Sequence, residues 1–204
     1  MNEFFRDEVL QLWIAGGWLM VPLFILGMVI YFSVFQLYFQ ITAQRHSKVD
    51  PTLWGHWVDK PDEAQGEIGR IIHFTQRNVR TTRDIRIRFD EVRATLTGGL
   101  RRRVKFANII IGTAPLTGLL GTVSGMLTTF SGIASGGGGE ATVSTIASGI
   151  SEALITTETG LVLAIPALFA VSRIRGMIGE MELFLARLET ATLKRFLRVN
   201  AAPY

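Results

Sequence analysis

Three long apolar stretches with few or no charged residues dominate the pattern of apolar and polar positions along the chain. No Asp, Glu, Lys or Arg occurs between Val9 and Gln44 or from Phe106 to Gly139, and residues 141–172 carry only two charged residues, both carboxylates. Because a helix that crosses a bilayer needs about 20 mostly apolar residues, each stretch predicts one transmembrane helix. The fold class is therefore predicted to be an all-α integral membrane protein.

The polar segments between and after these helices have a helical periodicity of their own. In the segment before the second helix, Ile68, Ile72, Ile85 and Phe89 recur at roughly helical spacing among arginines. The tail continues the third helix with an apolar seam, which needs the loop helix, a neighbouring subunit or both as its partner. The predicted segments are an N-terminal segment 1–14, transmembrane helices 15–42, 107–133 and 143–172, a basic helical loop 43–106, a short Gly-rich loop 134–142 and a helical tail 173–204.

Basic residues are distributed very unevenly, and this predicts the orientation of the helices. Of the 21 Lys and Arg residues, 14 lie between Arg45 and Lys105 and 6 lie from Arg173 onward, whereas the Gly-rich loop has none. Positive charge stays on the cytoplasmic side of a membrane. The basic loop and the tail are therefore predicted inside, and the N-terminus and the Gly-rich loop outside.

Composition removes several classes of chemistry. The chain has no cysteine, which excludes disulfides, iron–sulfur clusters and thiol catalysis, and its three histidines lie outside the apolar stretches. No G-x-S-x-G, P-loop or G-x-G-x-x-G motif is present, so we do not expect an enzyme. The basic loop can bind nucleic acid on charge alone, but it has few aromatic residues and no nucleic-acid motif. Contact with anionic lipid is the simpler interpretation.

Small and hydroxyl-bearing residues mark one side of the second helix. The residues that share this side are Gly118, Gly121, Thr122, Gly125 and Thr129. Small residues allow helices to approach closely in lipid, which accounts for the glycines. The threonines are also suited to lining a polar path.

The third helix carries a polar stripe around an acidic residue. Thr145, Ser148, Glu152, Thr156 and Thr159 fall on one stripe, and Glu158 points about 120° away from Glu152 at 100° per residue. A charged residue inside a bilayer costs a few kcal/mol. A carboxyl group that exchanges protons beside hydroxyl groups suits an ion pathway. The alternative is a buried acid that is hydrogen-bonded for assembly.

Two segments carry a resemblance to a known family. Residues 114–123 (APLTGLLGTV) and 149–157 (GISEALITT), the latter followed by Gly160 and by Ala164, Ile165 and Pro166, resemble the second- and third-helix signatures of the MotA/TolQ/ExbB family. The three-helix topology agrees, and the chain is most similar to short ExbB members of the TonB system. The resemblance implies a homopentameric ring in the bacterial inner membrane, with two helices of an ExbD-type or TolR-type partner in its pore.

The resemblance also implies a function and the residues that perform it. Proton flow through such complexes drives relative rotation that does work on TonB for outer-membrane import of siderophores and vitamins, with no cofactor beyond the transported protons. The proton pathway is then expected at Glu152, Thr122, Thr157, Thr156 and Glu158, and helix packing at Gly118, Gly121, Gly125, Pro115 and Pro166. Glu158 departs from the family pattern, in which many members have a small or apolar residue. A TolQ-type subunit of the Tol-Pal envelope system and a passive membrane scaffold are the alternatives.

Overall fold

The computed structural model describes residues 12–43, 51–134 and 139–201, and almost all of these residues are helical, with no strand among them. Parts of the predicted N-terminal segment, basic loop, Gly-rich loop and tail lie outside the described residues. The α-helices within the described ranges are α1 (Met20–Ala43), α2 (Pro51–Asp59), α3 (Gly66–Gln76), α4 (Thr82–Ala134) and α5 (Glu140–Ala201), with a 3-10 turn at Pro61–Glu63.

Three of these helices, α1, α4 and α5, are long and apolar enough to cross a membrane. Helix α1 starts at Met20, because the helical residues 12–15 are followed by a break at Gly16 and Gly17. Gly17 adopts the left-handed conformation with φ 67°, which glycine accepts without steric cost. Helices α4 and α5 extend far beyond residues 107–133 and 143–172, because neither change from apolar to charged residues contains a proline that would break the helix.

The chain forms two compact units, one of which contains the described residues up to Gln36 together with Lys105–Ser172. Its helices bury small and aliphatic side chains such as Leu23, Ile111 and Ala114, while large apolar side chains remain on the outside. Among the exposed ones are Phe24, Phe32, Leu116, Leu127, Phe130 and Phe169. An apolar exterior of this kind is suited to contact with lipid or with further protein chains.

The second unit, Leu37–Val104 together with Arg173 onward, is a helical bundle around its own apolar core. Ile72 and Phe89 from the loop are fully buried with Leu188 from the tail, and the rings of Trp54 and Phe184 meet edge to face with centroids 5.9 Å apart. The other members of this core are Val58, Ile68, Ile85, Phe184 and Leu185. The predicted apolar positions of loop and tail are confirmed, and within this unit the loop helices are the partner of the tail seam.

A reciprocal pair of hydrogen bonds fixes the start of α4. The Asp84 backbone N–H donates to Thr81 Oγ1 at 3.2 Å, and the Thr81 N–H donates to Asp84 Oδ2 at 2.9 Å. This is a capping box, which satisfies donors that a helix start leaves free. The N–H groups of Arg80 and Thr81 hold the pKa of Asp84 below its ordinary value. The preceding Asn78 has φ 52°, a turn that separates α3 from α4 where the sequence pattern predicted continuous helix.

Several arginines of the basic loop are engaged inside this unit. Arg93 pairs with Asp90 at 3.1 Å and with Glu189, while the Arg88 guanidinium donates to the Phe74 carbonyl at 2.5 Å and lies 5.5 Å from the centroid of its ring. Arg88 and Arg93 therefore help to hold this unit together, and the arginines of the basic loop do not form only a solvated surface. Elsewhere, hydrogen bonds from His56 and Lys60 lower the pKa of Glu63.

Candidate functional site

A seam of small residues joins α4 and α5 in the first unit. A Cβ built on Gly149 would lie 2.6 Å from the Gly125 carbonyl oxygen, and one built on Gly160 would lie 2.7 Å from that of Ala114. Because backbone atoms cannot yield as a side chain can, glycine is needed at these positions. The seam residues are Ala114, Gly118, Gly121, Gly125, Thr129 and Gly132 on α4, and Thr145, Gly149, Ala153, Thr156, Thr157 and Gly160 on α5.

The seam contains all three glycines that the sequence assigned to helix packing. A Cβ at Gly118 would lie 2.9 Å from the Thr156 carbonyl oxygen, one at Gly121 would lie 2.5 Å from Thr156 Cβ, and one at Gly125 would lie 2.9 Å from Ala153 Cβ. All three glycines are buried. Close contact of backbones supplies the van der Waals packing that holds helices together in lipid.

Two of the predicted pathway threonines belong to this seam. Thr156 is fully buried against Gly121, and its hydroxyl group donates to the Glu152 or Ala153 carbonyl at 3.0 and 3.1 Å. The Thr157 hydroxyl lies 3.1 Å from the Gly118 carbonyl on α4 and 3.1 Å from that of Ala153 on its own helix. Thr157 therefore bridges the two helices by a hydrogen bond.

Thr122 is half-buried, and the structure places its hydroxyl group on its own helix. This hydroxyl donates to the Leu119 carbonyl at 2.7 Å, as Thr113 donates to Ile110 at 2.6 Å and Thr117 to Thr113 at 2.9 Å. Threonines in helices commonly make such bonds one turn back. Each hydroxyl oxygen that donates in this way still has lone pairs that can accept a hydrogen bond.

The two carboxylates of α5 have different surroundings. Glu152 is half-buried and its carboxyl group lies against the backbone of Gly17, ahead of α1, whereas Glu158 is exposed. The predicted stripe of Thr145, Glu152 and Thr156 is thereby divided, because both threonines face α4 and Glu152 faces Gly17. Within the described part of the chain, no Lys, Arg or His forms an ion pair with either carboxylate.

Pro115 and Pro166 lie in the interiors of α4 and α5. Proline lacks the N–H that a helix would bond to the carbonyl four residues earlier. Pro115 is half-buried, but Pro166 is exposed within the single chain. Pro166 therefore contributes little to packing inside the chain, although the sequence grouped it with the packing residues.

The described residues contain no group of three or more His, Asp or Glu side chains that could hold a metal ion. Gly17, Gly149 and Gly160 were not among the residues that the sequence pattern assigned to the site. The last two continue the small-residue spacing of α5, in which Gly149, Ala153, Thr156 and Gly160 recur three or four residues apart. That spacing signals close helix packing, as it does on α4.

Several known proteins resemble part of this chain. A segment of 70 residues is 53% identical to the biopolymer transport protein ExbB-like 1 of Synechocystis, covering 34% of this chain and 28% of that protein. A segment of 83 residues is 40% identical to the Tol-Pal system protein TolQ of Haemophilus influenzae, covering 41% and 36%. TolQ of Pseudomonas aeruginosa is 43% identical over 74 residues, covering 36% and 31%.

These alignments span about a third of the length of each relative. The match to the family as a whole is longer, since residues 68–186, more than half of the chain, match the MotA/TolQ/ExbB proton channel family. That region includes the seam, Glu152 and the core residues of α3 and α4. Together with three helices long and apolar enough to cross a membrane, this match establishes that the chain belongs to the MotA/TolQ/ExbB proton channel family.

Proposed function

We propose that this chain is a proton-path subunit of an inner-membrane motor complex of the ExbB type. The complex converts the proton motive force into mechanical work on TonB for outer-membrane import of siderophores and vitamins. The observation that carries the proposal is Glu152, a half-buried carboxylate without a basic partner among the described residues, in a long apolar segment of α5. An ionisable residue in such a segment is costly and is typical of proton pathways.

In this proposal Glu152 exchanges the proton, while Thr122 and Thr157 offer hydroxyl oxygens along the path. Thr156 acts mainly through the seam, because its side chain is fully buried there. Glu158, which the resemblance also implied as a pathway residue, is exposed on another side of α5. The proposal leaves Glu158 outside the path, and it serves as the comparison for Glu152. Moving one charge across 100 mV supplies about 2.3 kcal/mol, so a large mechanical step requires several protons.

The proposed assembly is a homopentameric ring with two helices of an ExbD-type subunit in its pore. The large exposed apolar side chains of α1, α4 and α5 support contact with neighbouring subunits and lipid. None of the three apolar stretches contains an Asp, so the partner is expected to supply the second carboxylate of the path. The distribution of Lys and Arg supports a periplasmic N-terminus and a cytoplasmic C-terminus.

A TolQ-type role in the Tol-Pal envelope system is the second candidate, and the TolQ relatives support it. In that case the same proton path does work on the cell envelope and not on TonB. A passive scaffold is the third candidate, in which the small-residue seam explains assembly and Glu152 has only a structural role. The three candidates differ in what they predict for a Glu152→Gln substitution.

The test uses a strain that lacks this gene and carries the parent chain, Glu152→Gln or the matched control Glu158→Gln. Growth on an iron siderophore, resistance to detergent and abundance of the protein in the membrane are measured together. Loss of siderophore-dependent growth by Glu152→Gln alone, at normal abundance, supports the ExbB role. Loss of detergent resistance instead supports the TolQ role. Unchanged growth and resistance in both variants contradict a proton-path role.

A further inference from the structure

The helix that precedes α1 is interrupted beside Glu152. Residues 12–15 are helical, Gly17 then takes φ 67°, and α1 begins at Met20. The Gly17 N–H donates to the Ile14 carbonyl and the Met20 N–H donates to the Gly17 carbonyl, both at 3.3 Å. The backbone of Gly17 is thereby fixed by hydrogen bonds on both sides.

The carboxyl group of Glu152 occupies the space that a side chain at position 17 would need. A Cβ built on Gly17 would lie 2.6 Å from Glu152 Cδ and 3.2 Å from Cγ, and closer still to Oε1. Gly16 is different, because a Cβ there would meet Met20 Cγ at 2.6 Å and Ile155 Cγ2 at 3.1 Å. The nearest neighbours of a side chain at position 17 are therefore Glu152 atoms, whereas those of a side chain at position 16 belong to Met20 and Ile155.

We propose that Gly17 is a positioning residue for the Glu152 carboxyl group. Because the atoms that meet a new Cβ are the end of a flexible side chain, the fold can be kept and the carboxyl group itself has to move. A moved carboxyl group has different solvation and hydrogen-bond partners, so its proton affinity changes. The expected effect on proton transfer rests on the proposed function. The contact between Gly17 and Glu152 and the change in proton affinity can be measured whether or not that function is correct.

The contact is tested by disulfide formation, for which the chain is suited because it has no cysteine. The full-length chain with Gly17→Cys and Glu152→Cys is oxidised in its membrane, beside a control with Gly17→Cys and Glu158→Cys. A Cβ at position 17 lies 3.2 Å from Glu152 Cγ, which is within the reach of a disulfide. We expect a cross-link in the first pair only. Absence of that cross-link, or equal cross-linking of both pairs, overturns the proposal.

The positioning role is tested by the proton titration of Glu152 in the full-length protein in lipid vesicles. Infrared spectroscopy follows the protonated carboxyl band that Glu152→Gln removes. Gly17→Ala is compared with Gly66→Ala, which has a similar φ of 69° but nothing within 4 Å of its Cβ, and with Gly112→Ala, which also has nothing within 4 Å. The first control repeats the backbone strain and the second adds a Cβ to an apolar helix.

We expect Gly17→Ala to move the titration midpoint of Glu152 by about half a pH unit or more, a roughly threefold change in proton affinity. Both controls should leave the midpoint within the error of the measurement. An unchanged midpoint in Gly17→Ala, or an equal shift in Gly66→Ala, overturns the positioning role. Failure of the proposed function would be seen separately, as normal growth of the Glu152→Gln strain.

Discussion

Adding a single methyl group at Gly149 should separate α4 from α5. The new Cβ would lie 2.6 Å from the Gly125 carbonyl oxygen and 3.1 Å from the Thr129 backbone nitrogen. Ordinary contact begins near 3.4 Å, so the two backbones have to part locally by about 0.8 Å. Overpacking of a tight interface costs about 1–3 kcal/mol, and the separation also weakens the dispersion contacts along the seam.

The matched control is Gly112→Ala, on α4, where a Cβ meets nothing within 4 Å. Both substitutions replace glycine by alanine inside a helix and share the propensity gain of about 1 kcal/mol. The difference between them therefore isolates the steric cost at the seam. We expect Gly149→Ala to be less stable than Gly112→Ala by about 1–3 kcal/mol.

Thermal unfolding of the purified chain in lipid nanodiscs, followed by the loss of helical circular dichroism, measures this difference. For a chain of this length, 1 kcal/mol corresponds to about 2–4 °C in Tm. The Gly149→Ala variant should melt at or below the parent, because the propensity gain offsets part of its steric cost, and the Gly112→Ala variant should melt at or above the parent. Equal melting of the two variants would refute the argument that backbone contact at the seam requires glycine.

Three further predictions concern hydrogen bonds. In the same melting assay, Thr157→Val should lose the hydrogen bond to α4 and with it about 0.6 kcal/mol of stability, at most about 1.7. Thr157→Ser should keep the hydrogen bond and this stability. Equal loss of stability in the two variants would contradict the bridge. At the start of α4, Thr81→Ala should cost about 1 kcal/mol of local stability, seen as faster amide hydrogen exchange in the first turn. Because the pKa of Asp84 is lowered from 3.8, its carboxylate stabilises the start of α4 at neutral pH, and this stabilisation is lost as the pH falls below about 4. Amide exchange in the first turn of Asp84→Asn should therefore be faster than in the parent at neutral pH and similar to the parent at low pH.

The apolar periodicity of the loop and tail was sufficient to predict their packing. Ile72, Phe89 and Leu188 are buried in one core because burying a helix's apolar face is the main source of its stability. The turn between α3 and α4 was missed, since Asn78 with φ 52° interrupts a sequence that has no Gly or Pro at that point. Asparagine tolerates the left-handed conformation, but its presence alone does not require it.

The direction of each polar side chain on α5 could not be predicted from spacing alone. Thr156 and Glu152 lie four residues apart and therefore on one side of a helix. In the structure Thr156 faces Gly121 and Glu152 faces Gly17, because helix α4 and the break ahead of α1 both contact that one side. The surroundings of Glu152 and Thr156 therefore differ only because different segments of the folded chain pack against each of them.

The sequence by itself determined the helical fold class, the three apolar spans, the distribution of charge and the presence of an acidic residue in the last span. These properties follow from local composition and periodicity, which act within one helix. Only the tertiary structure decided that α4 and α5 meet through glycines, that Thr157 bridges them and that Glu152 lies against Gly17. These are contacts between residues far apart in sequence, and they depend on how the helices pack against one another.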